Sequence, residues 1–173
     1  PKRRRRVRKA ARPARAEKRV RKPAAKAKPR RRVIQHTPPA PKPPVTIDPR
    51  LSEGVALFNA RSFYTCHDIL EPLWIETAGR DKDFYRGLIQ AAVAFHHWSK
   101  GNPGGAMSLY RSSSAYLRKY RPEHLGVDVE RFLAQYMELF GWLRRHRLKY
   151  DARLVPPIRW SRPIEILKSE HAA

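Results

Sequence analysis

The first fifty residues carry a positive charge that no folded core could bury, and this asymmetry constrains the whole chain. Residues 1–50 hold twenty Lys and Arg against two acidic residues, a net charge of +18, whereas residues 51–173 have a net charge of +5. Ten of the sixteen prolines lie in residues 1–50, which contain no aromatic residue. Such a segment buries too little apolar surface to offset the entropy of ordering. We therefore expect a disordered or extended basic arm.

Composition divides the chain into four parts. We assign residues 1–37 to the basic arm, 38–50 to a Pro-rich linker, 51–150 to a folded domain and 151–173 to an extended C-terminal segment. The linker, which begins "PPAPKPPVTIDP", is typical of a polyproline-like spacer. All seventeen aromatic residues follow residue 50, together with enough aliphatic residues for one core.

Apolar residues recur at spacings of three and four through the folded domain, which predicts helices. With the caps and the Gly and Pro breaks, the predicted helices span about 52–61, 62–78, 81–100, 103–120 and 127–149. No strand-like alternation competes with this pattern. The fold class is therefore all-α, a compact bundle of about five helices with short connections, preceded by the basic arm.

Three details of the bundle are also predicted. Pro72 removes an amide donor from the second helix, so we expect a kink or break near residues 68–72. Cys66 is the sole cysteine, and we expect it to be a small buried hydrophobe. The larger aromatic residues at helical spacings are expected in the core rather than as platforms for nucleobases: Trp98, Tyr110, Tyr116, Tyr120 and Trp142.

Cysteine content and hydropathy bear on the compartment. A single cysteine excludes an intrachain disulfide and favours a reducing compartment. No apolar run approaches the ~18 residues needed to span a bilayer, and no apolar segment of a secretory signal is present. We expect a soluble, cytoplasmic, ribosome-associated protein, with an organelle or the nucleoid as alternatives.

Three segments resemble a known family of small helical domains. "FNARSFYTCHDILEPLW", "FYRGLIQAAVAFHHWSKGNPGGAMSLYRSSSAYLRKY" and "HLGVDVERFL" are together similar to domain of unknown function 309, over about residues 51–140. The residues that carry the resemblance most specifically are His67, Asp68, Glu71, Trp74 and Gln90. The resemblance implies a compact helical domain that is sometimes suspected of binding metal and has no established activity.

A cluster of polar side chains is predicted between the second and third helices. His67 and Glu71 are four residues apart, and Trp74 lies on the same stripe, so this face should point inward. Gln90 and His97 share a face of the third helix, and antiparallel packing would bring the two faces together. Asp68 neighbours this cluster.

The preferred interpretation of the cluster is a buried hydrogen-bond network that sets the register of the helices. One divalent transition metal bound by His67, Glu71 and His97 is an alternative, and a general acid–base pair is another. On the preferred interpretation the domain has no catalytic residue, no cofactor and no metal.

The basic arm predicts a polyanionic partner, because a block of one charge sign repels itself unless it is neutralised. Arg outnumbers Lys in it, which suits bidentate phosphate contacts and stacking in folded RNA. The residues expected to contact RNA are Lys2, Arg3, Arg4, Arg5, Arg6, Arg8, Lys9, Arg12, Arg15, Lys18, Arg19, Arg21, Lys22, Arg30, Arg31 and Arg32.

The sequence thus favours a non-enzymatic RNA-binding protein, a ribosomal or ribosome-associated component whose arm threads into ribosomal RNA beside neighbouring ribonucleoprotein subunits. Two alternatives stay open. "KPAAKAKP" is similar to linker-histone tails and would favour DNA and a nucleoid protein, and the polar cluster would favour a metal-binding or metal-dependent enzyme domain. A membrane partner is not expected, because the basic block has no apolar face.

Overall fold

The computed structural model describes residues 42–146 and 148–167. The basic arm and its candidate RNA-binding residues lie outside this part of the chain. Within the described part, the α-helices are α1 (Pro49–Asn59), α2 (Phe63–Glu76), α3 (Arg80–Ser99), α4 (Pro103–Leu117) and α5 (Val129–His146). These five helices with their short connections confirm the predicted all-α fold. None of the described helices combines the length and the apolar composition that crossing a bilayer requires.

Four short strands accompany the helices and were not expected from the sequence. β1 (Val45–Ile47) pairs in parallel with β4 (Ile164–Ile166), and β2 (Glu123–His124) pairs antiparallel with β3 (Val127–Asp128). Strands of two or three residues are too short to show an alternating pattern. The parallel pair joins the two ends of the described chain, so its formation depends on the tertiary fold.

Residues 45–50, which the sequence assigns to the Pro-rich linker, are part of the folded domain. The side chain of Ile47 is buried, and Asp48 caps α1 by accepting a hydrogen bond from the Arg50 amide at 2.8 Å. Pro49 occupies the first turn, where a missing amide donor costs nothing. The predicted helix begins at residue 52, three residues after the observed start at Pro49, because the proline-rich composition is typical of a linker.

The C-terminal segment packs back on the helices. Val155 and Ile158 are buried, and the side-chain amide of Asn59 bonds both the N–H and the C=O of Ile158, at 2.8 and 2.9 Å. A short 3₁₀ turn at Ala152–Leu154 and the strand β4 interrupt its extended course. This segment covers the core although it is largely non-helical.

The predicted break at Pro72 is absent, since α2 runs without interruption from Phe63 to Glu76. Pro72 is exposed. The carbonyl of Asp68 that it leaves without an amide partner therefore lies on the solvent side of the helix, where water replaces the lost bond.

An aromatic cluster centred on Phe95 joins the helices. The fully buried Phe95 ring of α3 lies 5.3–5.6 Å from the rings of four neighbours on α1, α2 and α5, namely Phe58, Phe63, Tyr136 and Phe140. The Tyr136 hydroxyl is 3.1 Å from the Ser113 hydroxyl of α4. Edge-to-face and offset contacts of this kind stabilise the core beyond their area alone. The cluster thus connects all five helices.

The predicted placement of the larger aromatic residues is correct only in part. Trp98 and Tyr120 are buried, and Tyr110 and Tyr116 are half-buried against the core. Trp142 is 47% exposed, so the prediction that it lies in the core is wrong. Helical spacing cannot separate these cases, because Leu139, Phe140 and Leu143 of the same helix half are buried and Trp142 lies beside their stripe.

Candidate functional site

The N-terminal half of α2 lies beside the C-terminal half of α3, as antiparallel packing requires. Between them is a cavity of about 250 Å³ lined by Tyr64, His67, Val93, His96 and His97. At the opposite end of the same helix pair, Trp74 lies near Lys82 and Arg86. The antiparallel approach of α2 and α3 that the sequence predicts is therefore observed.

His67 and its acidic neighbours do not form the expected buried network. The His67 Nδ1 is 3.1 Å from Asp68 Oδ1, but its Nε2 is 3.9 Å from Glu71 Oε1, too far for a hydrogen bond. The side chains of His67, Asp68 and Glu71 are 28%, 48% and 45% exposed. The prediction that this face points inward is wrong for these residues.

The reason lies in the rotation of α2. Its buried residues are Phe63, Cys66, Leu70 and Leu73, a stripe at spacings of three and four. His67, Glu71 and Trp74 each follow a buried residue by one position, so they border the stripe. The apolar stripe and the row formed by His67, Glu71 and Trp74 both have helical periodicity. Only the elements that pack against α2 decide which of the two faces the core.

The remaining members of the predicted cluster lie in separate surroundings. His97 Nδ1 is 3.1 Å from the side-chain amide nitrogen of Asn102, whose oxygen caps α4 by accepting from the Gly105 amide at 2.9 Å. Gln90 Oε1 is buried without a hydrogen-bond partner among the described residues. Trp74 lies under two cations, with Lys82 Nζ 5.4 Å and Arg86 Cζ 5.9 Å from its ring.

Two residues of the cavity were not identified from the sequence. The Tyr64 ring lies 5.8 Å from the His96 ring and 6.1 Å from the His67 ring. Desolvation lowers the pKa of His96, and the charges of Lys100 and His97 lower it further, so the neutral imidazole is favoured. The "HH" doublet and the spacing of three between Tyr64 and His67 were the signals available in the sequence.

The chemistry that this cavity can support is narrow. Among residues 42–146 and 148–167, no group of three His, Cys, Asp or Glu side chains lies close enough to hold a metal ion. Of the alternative metal ligands, His67 and His97 line the cavity, whereas Glu71 does not. The imidazole rings of His67, His96 and His97 and the phenol ring of Tyr64 give the cavity an aromatic lining with hydrogen-bonding groups at the ring edges.

Cys66 is not a candidate nucleophile. Its side chain is 1% exposed, and burial raises the pKa of its thiol to about 12, so the reactive thiolate is not populated near neutral pH. The prediction of a small buried hydrophobe is confirmed.

The position of His67 leads to a prediction about stability. We expect His67→Ala to change the free energy of unfolding by less than about 1 kcal/mol, because its contact with Asp68 is solvent-exposed. Urea unfolding of the purified chain measures this change. The matched control is Leu70→Ala on the buried stripe of the same helix, which should cost about 2–5 kcal/mol. A cost for His67→Ala close to that of the control would restore the buried-network interpretation.

Comparison with known proteins finds a family similarity within the helical domain. The family model described as "Domain of unknown function (DUF309)" matches residues 51–109. An uncharacterized protein of Aquifex aeolicus (strain VF5) is 29% identical over 92 residues, which cover 53% of this chain and 28% of that protein. The uncharacterized protein YpuF of Bacillus subtilis (strain 168) is 38% identical over 82 residues, which cover 46% of this chain and 47% of YpuF. The chain thus spans less than half the length of either relative.

The charge of the chain lies outside the residues that match the family. Residues 51–109 hold five Lys and Arg and six Asp and Glu, a net charge of −1. Residues 1–50 have a net charge of +18, and residues 110–173 have a net charge of +6. Most of the positive charge of the chain therefore lies outside the residues that match the family model.

Proposed function

We propose that this chain, whose helical domain belongs to the DUF309 family, is a non-enzymatic RNA-binding protein that associates with ribosomal particles. The observation that carries the proposal is the net charge of +18 within residues 1–50. A segment with this charge gains its affinity by releasing the counterions condensed on a polyanion.

The composition of the arm favours RNA over other polyanions. Residues 1–32 contain twelve Arg and six Lys against Glu17 alone. A guanidinium binds phosphate through two parallel hydrogen bonds and stacks on exposed bases, and irregular folded RNA offers both groups. A lipid surface would instead call for an apolar face, which the arm lacks.

In this proposal the arm attaches the helical domain to RNA. Many basic side chains of its described surface are already paired with carboxylates. Lys119 Nζ is 2.9 Å from Asp83, Arg50 contacts both Asp48 and Glu76, and Arg121 contacts Glu130. Residues 51–109, which match the family model, have a net charge of −1, so the arm supplies the main electrostatic contact.

Sedimentation of native particles tests the proposal. The protein in a lysate of its own cells should co-sediment with ribosomal particles at low salt and leave them as the salt concentration rises, because the contact is electrostatic. Ribonuclease should release it, and deoxyribonuclease should not. Release by deoxyribonuclease alone would assign the arm to DNA, and sedimentation as a free protein at low salt would contradict the proposal.

A further inference from the structure

A second concentration of positive charge lies at the C-terminal half of α5 and in the residues that follow it. Residues 139–162 hold seven Lys and Arg against Asp151 alone, a net charge of +6. This exceeds the net charge of +5 for the whole of residues 51–173, so the rest of that region has a net charge of −1. Arg159 and Arg162 lie beside Asp128 and Glu123, at the N-terminal end of α5. The cations at its C-terminal end are Arg144, Arg145 and Lys149.

An exposed tryptophan lies at the centre of this basic region. Trp142 is 47% exposed, the His146 ring lies 4.6 Å from its ring at an interplanar angle of 30°, and the Arg145 guanidinium carbon lies 5.7 Å away. These neighbours support the indole from its own helix. A large aromatic ring held in place and open to solvent among cations is the arrangement that stacks nucleic-acid bases.

Two cavities adjoin residues 142–149. Trp142 lines one of about 550 Å³ together with Leu154, one cation, Arg153, and one carboxylate, Glu138. Arg144 and Lys149 line the other, of about 680 Å³, and Leu148 lines both. The aromatic ring and the cations thus lie on neighbouring concave surfaces, so a base and its phosphates could be held side by side.

The helix dipole accounts for only part of this arrangement. Cations in a last helical turn stabilise the helix end, and this suits Arg144, Arg145 and His146. It does not explain why Trp142 is left exposed. Nor does it explain Lys149, a basic residue beyond the helix that lines the neighbouring cavity.

We propose that Trp142 is a stacking platform for one base of single-stranded RNA, with Arg144, Arg145 and Lys149 contacting the adjacent phosphates. The proposal rests on the proposed function and adds to it a second RNA contact on the folded domain. Single-stranded RNA is specified because a base within a duplex has no free face to offer to an indole ring.

Binding of a labelled single-stranded oligoribonucleotide of about 12 nucleotides to the full chain tests this contact, with fluorescence anisotropy read across a range of salt concentrations. Trp142→Ala should weaken binding about tenfold, which corresponds to about 1.4 kcal/mol. The slope of log K against log salt should stay unchanged, because stacking releases no counterions. Trp142→Phe, which keeps a ring, should lose less than about threefold.

The contact between the cations and phosphate should change the salt dependence of binding. Replacing both Arg144 and Arg145 by Gln should weaken binding and also reduce the magnitude of the salt slope by about 1–2. Arg131→Gln is the matched control, because Arg131 is exposed at the opposite end of α5 and should leave affinity and slope unchanged. Thermal melting of each variant checks that the fold is intact.

The outcomes separate this proposal from the proposed function. If the wild-type chain binds RNA and Trp142→Ala binds equally well, the platform is refuted and the RNA-binding function stands. If the wild-type chain binds no RNA, both fail. An equal loss for double-stranded RNA would exclude base stacking. Retained oligonucleotide affinity combined with lost association with ribosomal particles would assign Trp142 to a protein partner instead.

Discussion

Removal of residues 1–36 is expected to abolish most of the RNA affinity of the chain while the helical domain stays folded. The deletion removes eighteen Lys and Arg and a single carboxylate, Glu17. The buried hydrophobic residues of the described core run from Ile47 to Ile158, so the deletion takes none of them. The loss of charge should therefore appear as a loss of binding and not as a loss of stability.

The salt dependence gives this prediction a magnitude. If the arm neutralises about 8 phosphates, it should contribute about −6 to −7 to the slope of log K against log salt for the full chain. The truncated chain should show a slope of only about −1 to −2, from the basic region around α5. Anisotropy titrations of both chains with the same RNA measure the two slopes.

A variant with residues 1–36 in scrambled order is the control for sequence-specific contacts. It should bind nearly as well as the natural chain, since counterion release depends on charge and spacing and not on the order of the residues. Unchanged RNA affinity of the truncated chain would refute the assignment of RNA binding to the arm. Unfolding of the truncated chain would show that the arm contributes to the domain.

The second large effect is expected at Glu123, where three segments of the chain meet. The Glu123 carboxylate contacts Lys42 Nζ at 2.6 Å and the Arg162 guanidinium, and its side chain is 12% exposed. Desolvation raises the pKa of Glu123, but its interactions with Lys42, Ser161 and Arg162 outweigh it and hold the pKa at about 2. The contact ties both ends of the described chain to the β2–β3 hairpin.

Glu123→Gln should lower the free energy of unfolding by about 2 kcal/mol at neutral pH. The shift from 4.5 to about 2 sets an upper limit of about 3 kcal/mol, and the exposure of Lys42 (55%) reduces it by solvent screening. Urea unfolding measures the difference. The control is Glu130→Gln, whose pair with Arg121 is about half-exposed and should contribute less than about 1 kcal/mol.

The pH dependence of this difference has a definite sign. The pKa of Glu123 is lower in the folded state than in the unfolded state, so the stabilisation is fully present above the unfolded value of 4.5. It should decline as the pH falls from about 5 toward about 2, because the unfolded chain takes up the proton first. A difference between wild type and Glu123→Gln that stayed constant over this interval would contradict the assignment.

For the polar residues of α2, the sequence predicts their spacing on the helix but not their burial. His67 and Glu71 are correctly placed on one helical face, because a spacing of four is a local property of the helix. Whether that face is buried depends on the rotation of α2 against α3, which is set by many small packing terms acting together. A shift of one residue position separates the predicted buried stripe from the observed one, which begins at Phe63 and Cys66.

Features that sum over many residues could be predicted from the sequence. The charge of residues 1–50 is a total, and the five helices follow from apolar periods repeated over ten or more positions each. The tertiary structure alone decided which faces are covered and which distant segments pair. It buries Ile47 in a strand paired with residues 164–166, and it leaves Trp142 open beside Arg145. Burial and long-range pairing depend on where the other elements lie, and no local window of sequence contains that information.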